Sequence, residues 1–170
     1  MKLRTPTPND TASIQGLISA VLREYGLRPD PDNIDRDLAD IEAAYFAQGG
    51  FFCVVEDTAG HLVATLGIGR IDQNTCELRK MYVAQTARGK GLGDSLIRFA
   101  ISKALAMGFS RMTLETATPL VEAVGLYRKH GFQAYHPPEL CWRCDLAYEL
   151  DLTQYIAREA LAHSPVLEMT

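Results

Sequence analysis

The segment from Cys76 to Phe132 constrains this chain more than any other. It reads as a strand, a glycine-rich turn, a long helix, a second strand and a short helix ending in Leu126-Tyr127-Arg128-Lys129-His130-Gly131-Phe132. At its centre Arg88-Gly89-Lys90-Gly91-Leu92-Gly93 follows the apolar Met81-Tyr82-Val83 and leads straight into a helix. Such a turn exposes successive backbone N–H groups at a helix N-terminus, where the helix dipole favours negative charge. Glycine lets the main chain approach a ligand with no Cβ in the way. The stretch reads as a phosphate cradle.

Spacing separates three kinds of glycine turn. A P-loop needs a leading glycine four residues before Gly-Lys, then Ser or Thr for magnesium. Here the leading place is Ala84 and Gly89-Lys90 runs into Gly91, so that pattern fails. The dinucleotide fingerprint Gly-x-Gly-x-x-Gly fits at Gly89 and Gly91, but its third place is Asp94. Glu115 stands near the distance of a ribose-binding acid, which keeps a nucleotide-binding oxidoreductase open as an alternative. The third pattern, Arg/Gln-x-x-Gly-x-Gly/Ala, is satisfied in full by Arg88-x-x-Gly91-x-Gly93.

With the strand before it, and Leu126-Tyr127-x-x-x-Gly131-Phe132 downstream, this stretch resembles the GCN5-related N-acetyltransferase (GNAT) family. The close match covers residues 76–132, about a third of the chain. The resemblance implies an α/β fold with a central mixed sheet of about seven strands flanked by about four helices. It also implies acetyl-CoA as co-substrate. One departure is Leu120, which stands seven residues before the helix tyrosine where the family often carries an asparagine.

A chain of 170 residues is expected to form a single domain with a core of its own. The net charge of −4 and dispersed basic residues give no electrostatic footprint for nucleic acid. No apolar run approaches a membrane span, and Met1 to Pro6 lacks the apolar core of a signal peptide, so the expectation is a cytoplasmic protein. Cys141-x-x-Cys144 looks like half a zinc site. However, Cys141 to Leu150 alternates like a strand, which would point the two thiols to opposite faces. No second pair or spaced histidine is present, so no metal site is expected and Cys144 reads as a small core residue.

Along the rest of the chain, residues 2–6 suit a first strand. Thr7-Pro8-Asn9-Asp10 starts a helix carrying Ile14, Leu17, Ile18, Val21, Leu22 and Tyr25 on one face and ending at Gly26. After a Pro- and Asp-rich connection, Ile34, Leu38, Ile41 and Tyr45 predict a second helix. Phe51–Glu56, Leu62–Ile71 and Cys76–Val83 read as strands. In the third, apolar residues switch from even to odd positions between Leu78 and Met81, which either a β-bulge or burial on both faces would explain. A helix from Gly91 to about Met107 carries a narrow polar stripe of Asp94, Ser95, Arg98 and Ser102. Arg111–Thr116 is a strand, Thr118-Pro119 caps a short helix to Gly131, and Phe132–His136 and Cys141–Leu150 are the last strands. The tail from Thr153 to about His163 suits a helix.

Acetyl transfer to an amine needs a neutral amine, stabilisation of the carbonyl oxygen, and a proton for the departing thiolate. No nucleophile elbow or Cys-His pair is evident, which agrees with direct transfer in a ternary complex. By the resemblance, Tyr127 is the general acid; read alone, it is a tyrosine packed on the apolar face of its helix with its hydroxyl satisfied locally. Glu77 is the candidate base, or else a carboxylate paired with Arg79 or Arg70. The N–H groups of Gly89, Lys90, Gly91, Leu92, Gly93 and Asp94 are expected to hold the pyrophosphate, with charge from Arg88 and Lys90. Met81, Tyr82 and Val83 are expected to pair with pantetheine amides, Val83 to offer an N–H to the thioester oxygen, and Thr116 to lie at the facing strand end. Tyr82 reads equally as core packing.

The acceptor expected is a small-molecule amine or amino acid, with no nucleic acid or membrane partner, bound by a monomer or homodimer. Asp30, Asp32, Asp35, Asp37, Asp40 and Glu42 either attract a cationic amine or form a solvated surface. Arg70, Arg79 and Arg143 are candidates to clamp a carboxylate. An enzyme acting on a protein amine and a catalytically silent acyl-CoA sensor are the rival readings.

Overall fold

A computed structural model of the chain describes residues 1–159. The strands are β1 (Lys2–Arg4), β2 (Phe51–Glu56), β3 (Leu62–Arg70), β4 (Thr75–Val83), β5 (Arg111–Thr116), β6 (Gln133–Ala134) and β7 (Leu146–Asp151). The helices are α1 (Thr11–Glu24), α2 (Ile41–Ala44), α3 (Leu92–Ala106), α4 (Val121–Lys129) and α5 (Leu152–Glu159). The strands make one mixed sheet in the order β1-β2-β3-β4-β5-β7-β6, with only β4 and β5 running parallel. This is the mixed α/β sheet that the motifs implied.

The continuous apolar run of β2 follows from its position deep in the sheet, where both faces are covered. Phe51, Cys53 and Val55 join Leu96, Phe99 and Ala100 of α3 in one core layer. Phe52 and Val54 join Ile14, Ile18 and Leu22 of α1 in the other. The start of α1 follows from its capping residues. The Thr7 N–H donates to the Asp10 carboxylate at 2.6 Å, and Arg4 grips the same carboxylate with two bonds of 2.8 Å. A short 3-10 turn over Pro8–Asp10 precedes the helix proper.

Three boundaries depart from the sequence reading. The second helix is only Ile41–Ala44, flanked by 3-10 turns at Arg36–Ala39 and Phe46–Gln48. Asp40 breaks it: its backbone leaves the helical region, and its side chain accepts the Ala43 N–H at 2.9 Å as a cap. The penultimate strand shrinks to Gln133–Ala134. The last strand begins at Leu146, not Cys141, because residues 141–144 close a turn with the Cys144 N–H on the Cys141 carbonyl at 2.9 Å. Of the expected tail helix, Leu152–Glu159 is present and the remainder lies outside the described residues.

The change of parity in β4 is a bulge. Thr65 pairs with Tyr82 and Gly67 with Arg79, so two steps along β3 match three along β4. The extra residue falls at Lys80, which takes a left-handed φ of 51°, while the Thr65 hydroxyl donates to the Lys80 carbonyl at 2.6 Å. Pairing of β4 with β5 covers only Thr75–Glu77 against Arg111–Thr113. Beyond it β4 follows β3 to Val83 and β5 follows β7 to Thr116, so the sheet splits.

Candidate active site

A cavity of about 1110 Å³ occupies the split. Leu78, Arg79, Tyr82 and Val83 of β4 keep their β3 partners on either side of the bulge. Among the described residues no strand pairs with the other edge of residues 78–83, which line this space. Met81, Tyr82 and Val83 therefore stand where an extended chain can add to the sheet edge. Thr116 is buried at the end of β5 and lines the facing wall.

The glycine turn closes one end. Gly89 and Gly91 have φ of 73° and 77°, a region that L side chains rarely adopt. Gly91 is the N-cap of α3 and offers no side chain, so the N–H groups of Leu92, Gly93 and Asp94 have no intrahelical partner. A Cβ built on Gly89 or Gly91 would enter open space. Arg88 donates from Nε to the Val83 carbonyl at 3.0 Å and pairs with Glu24 at 2.8 Å, while its buried Nη2 has no hydrogen-bond partner among the described residues. An unpartnered guanidinium nitrogen beside bare N–H groups fits an anion such as a pyrophosphate. Lys90 is exposed, its amine touching only the Thr86 carbonyl at 3.4 Å. The Asp94 side chain turns to Lys129, Arg98 and His130 at 2.6, 2.9 and 2.9 Å. The Lys129 bond, above all, holds the carboxyl well below the usual range, and its charge is matched locally.

Tyr127 sits on the buried face of α4, its ring tilted against Phe132 and Tyr148 at 5.8 and 6.4 Å. Its ring is core, yet the residue also lines the cavity, and its hydroxyl has no hydrogen-bond partner among the described residues. Burial, then the neighbouring Cys144, raises its pKa, so the phenol stays protonated at neutral pH. Tyr82 is raised too, mainly by burial. Glu77, half-buried in the cavity wall, is ion-paired with Arg79. Leu120 lines the cavity at the place of the missing asparagine.

The other end is built from charges that the sequence reading scattered. Asp35, 6% exposed at its side chain, accepts two bonds from Arg143 at 2.8 and 2.9 Å and one from Lys80 at 2.6 Å. Lys80 also pairs with Asp37 at 3.2 Å, and Asp37 accepts the Tyr45 hydroxyl at 2.5 Å. Asp35 is thus a buried ion partner and not part of a solvated face. Arg143 is committed to it, and Arg70 stacks on Phe109 at 4.7 Å, away from the cavity lining. Of the three arginines read as a carboxylate clamp, only Arg79 and Arg143 line the cavity, both already paired. Lys80 escaped the sequence reading; its one signal was the broken parity of β4.

The turn at 141–144 overturns the argument that its thiols point apart. Cys141, Cys144 and Glu115 offer ligand atoms all within 4.8 Å of one another. The Glu115 carboxylate accepts the Cys141 N–H at 2.9 Å. A hydrogen bond with Cys144 holds the Cys141 thiol down and raises that of Cys144.

Comparison with known proteins agrees with this geometry. Residues 16–132 match the model of the acetyltransferase (GNAT) family. The chain is 37% identical over 136 residues to the uncharacterized N-acetyltransferase YjgM of Escherichia coli, spanning 77% of this chain and 81% of that one. The fold superposes on a GNAT-family acetyltransferase from Staphylococcus aureus with a TM-score of 0.81 at 23% identity, over 89% of this chain and 98% of that one. It superposes on a phosphinothricin acetyltransferase from Sinorhizobium meliloti in complex with acetyl-CoA with a TM-score of 0.68 at 17% identity, over 88% and 87%. With the glycine turn, the split sheet and the family match in agreement, the chain belongs to the GNAT family of acetyl-CoA-dependent N-acetyltransferases.

Proposed function

We propose that the chain acetylates a primary amine of a small molecule or amino acid by direct attack in a ternary complex. The reading is of a single domain, 1–170, acting in the cytoplasm as a monomer or homodimer. One observation carries it: the open β4 edge, the bare glycine turn and the unpartnered Tyr127 hydroxyl border one cavity. Its far end is walled by paired charges.

Acetyl-CoA supplies an acetyl group activated as a thioester. The N–H groups of residues 89–94 and the free Arg88 Nη2 receive its pyrophosphate. The edge of Met81, Tyr82 and Val83 aligns the pantetheine arm, and an N–H near Val83 faces the carbonyl oxygen, where negative charge grows during attack. Thr116 bounds the arm from the β5 side. Tyr127, protonated and with its hydroxyl free of hydrogen bonds among the described residues, gives its proton to the departing thiolate. Glu77, paired with Arg79, takes the amine proton directly or through a water.

A wall of mixed, mutually paired charges suits a polar acceptor that carries an amine. A cavity of about 1110 Å³ has room for a small-molecule acceptor. The test is thiol release from acetyl-CoA with a panel of amino acids, polyamines and lysine peptides. Turnover confined to peptides, or to none of the panel while acetyl-CoA binds saturably, would sink this reading.

A further inference from the structure

We propose that Glu115, Cys141 and Cys144 form a binding site for a thiophilic divalent cation, zinc above all, in the wall of the cavity. The site shares the cavity with Glu77 and the glycine turn, and Cys144 neighbours Tyr127, but its three ligands are none of the groups assigned to acetyl transfer.

Four features of the chain converge on it. The two thiols come from a four-residue turn closed by the Cys144 N–H on the Cys141 carbonyl, which puts both sulfurs on one side. Cys141 and Cys144 are both half-buried in the cavity wall, where an ion from solvent can reach them. Glu115 comes from β5, 26 residues earlier, and one of its oxygens is fixed by the Cys141 N–H, leaving the other to turn toward the sulfurs. All three ligand atoms already lie within 4.8 Å of one another. Tetrahedral zinc, with bonds of about 2.3 Å to sulfur and about 2.0–2.2 Å to oxygen, holds its ligands slightly closer than that. Small rotations of half-buried side chains complete the fit.

The chemistry selects the ion. Two thiolates and one carboxylate suit zinc and disfavour magnesium or calcium, which take oxygen alone. Three protein ligands leave a fourth position, and all three residues line the cavity, so that position opens toward it for water or a donor atom of the acceptor. Binding releases the thiol protons and ties the irregular segment before β7 onto β5. The other cysteines do not compete. Cys53 and Cys76 are core residues whose thiols burial pushes up to about 12.

The experiment is titration of the reduced, chelator-treated full chain with cobalt(II), followed by displacement with zinc. The expected result is one ion per chain with thiolate-to-cobalt absorption and strong tetrahedral ligand-field bands, both lost on adding zinc. Cys144→Ser is expected to weaken zinc by about 100-fold and Glu115→Gln by about 10-fold, the latter keeping the thiolate absorption. No such absorption from wild-type chain with free thiols by mass would overturn the proposal. So would equal affinity in Cys144→Ser, or a Cys141–Cys144 disulfide that zinc does not prevent. None of these readouts uses acetyl transfer, so failure here leaves the proposed activity standing, and failure there leaves the site standing.

Discussion

The two ends of the cavity are held by different physics. At the glycine turn the backbone is set locally, by the φ of Gly89 and Gly91, the Arg88 bond to Val83 five residues back and the Asp94–Arg98 pair one helical turn apart. Glu24, Lys129 and His130 add side-chain pairs from farther along the chain. At the charged end the constraints span the chain. Arg143 meets Asp35 across 108 residues, Trp142 donates to Asp30 across 112, and Lys80 reaches Asp35 across 45. A local device can be lifted from sequence as a motif, whereas a long-range ion network has no signature until the chain is folded. The difference also predicts how each end fails when cut. The glycine turn should lose its ligand and keep its fold; the network should lose stability first.

The largest effect is expected at Asp35. Asp35→Asn leaves Lys80 and Arg143 buried without their shared counter-charge, and removing one partner of such a network costs about 3–5 kcal/mol of stability. Denaturant unfolding measures it. If acetyl-CoA affinity fell as far as stability did, the two ends would not be separable.

The same residue sets an acid limb. Burial alone would raise the Asp35 carboxyl, but its bonds to Arg143 and Lys80 outweigh burial and hold it well below the usual range. A depressed folded-state pKa contributes stability that is complete above the unfolded value of about 3.9 and is lost as pH falls through the folded value. Stability is therefore expected to hold down to about pH 5 and to decline below about pH 4. The decline should be shallower in Asp35→Asn, and an equal slope in both proteins would remove Asp35 from the account.

Tyr127→Phe comes next. Loss of a positioned acid is expected to lower kcat by about 100-fold or more with acetyl-CoA affinity unchanged, read by thiol release and calorimetry side by side. Unchanged turnover would return Tyr127 to a packing role. Gly91→Ala puts a side chain into left-handed backbone and into the space that the turn keeps clear. It is expected to weaken acetyl-CoA about 10-fold while costing only about 1 kcal/mol of stability. The smallest change is Lys90→Ala. This exposed amine contributes by long-range charge alone, so affinity is expected to fall about twofold at low salt and not at all at high salt.

Much of this was legible in the residues. The order of elements, the bulge in β4, the cap at Thr7 and the turn at Gly89–Gly93 each follow from conformational preferences acting within a few positions. Glu77 was legible as a choice between base and ion-pair partner, and the fold adds the pairing with Arg79. The strand assigned to Cys141–Leu150 was misread because alternation continues through a turn that the Cys144 N–H closes. Asp35 and Asp37 were misread as solvated because nothing near them in sequence announces Lys80 or Arg143.

By itself the sequence determined the fold family and the place of the glycine turn, because backbone dihedrals, caps and unpaired helix N–H groups are properties of short segments. Only the tertiary structure decided which charges are buried together, where β4 and β5 part, and that two thiols and a carboxylate from separate elements meet. Those depend on packing whole elements against one another, where desolvation makes a charge tolerable only when a distant partner arrives.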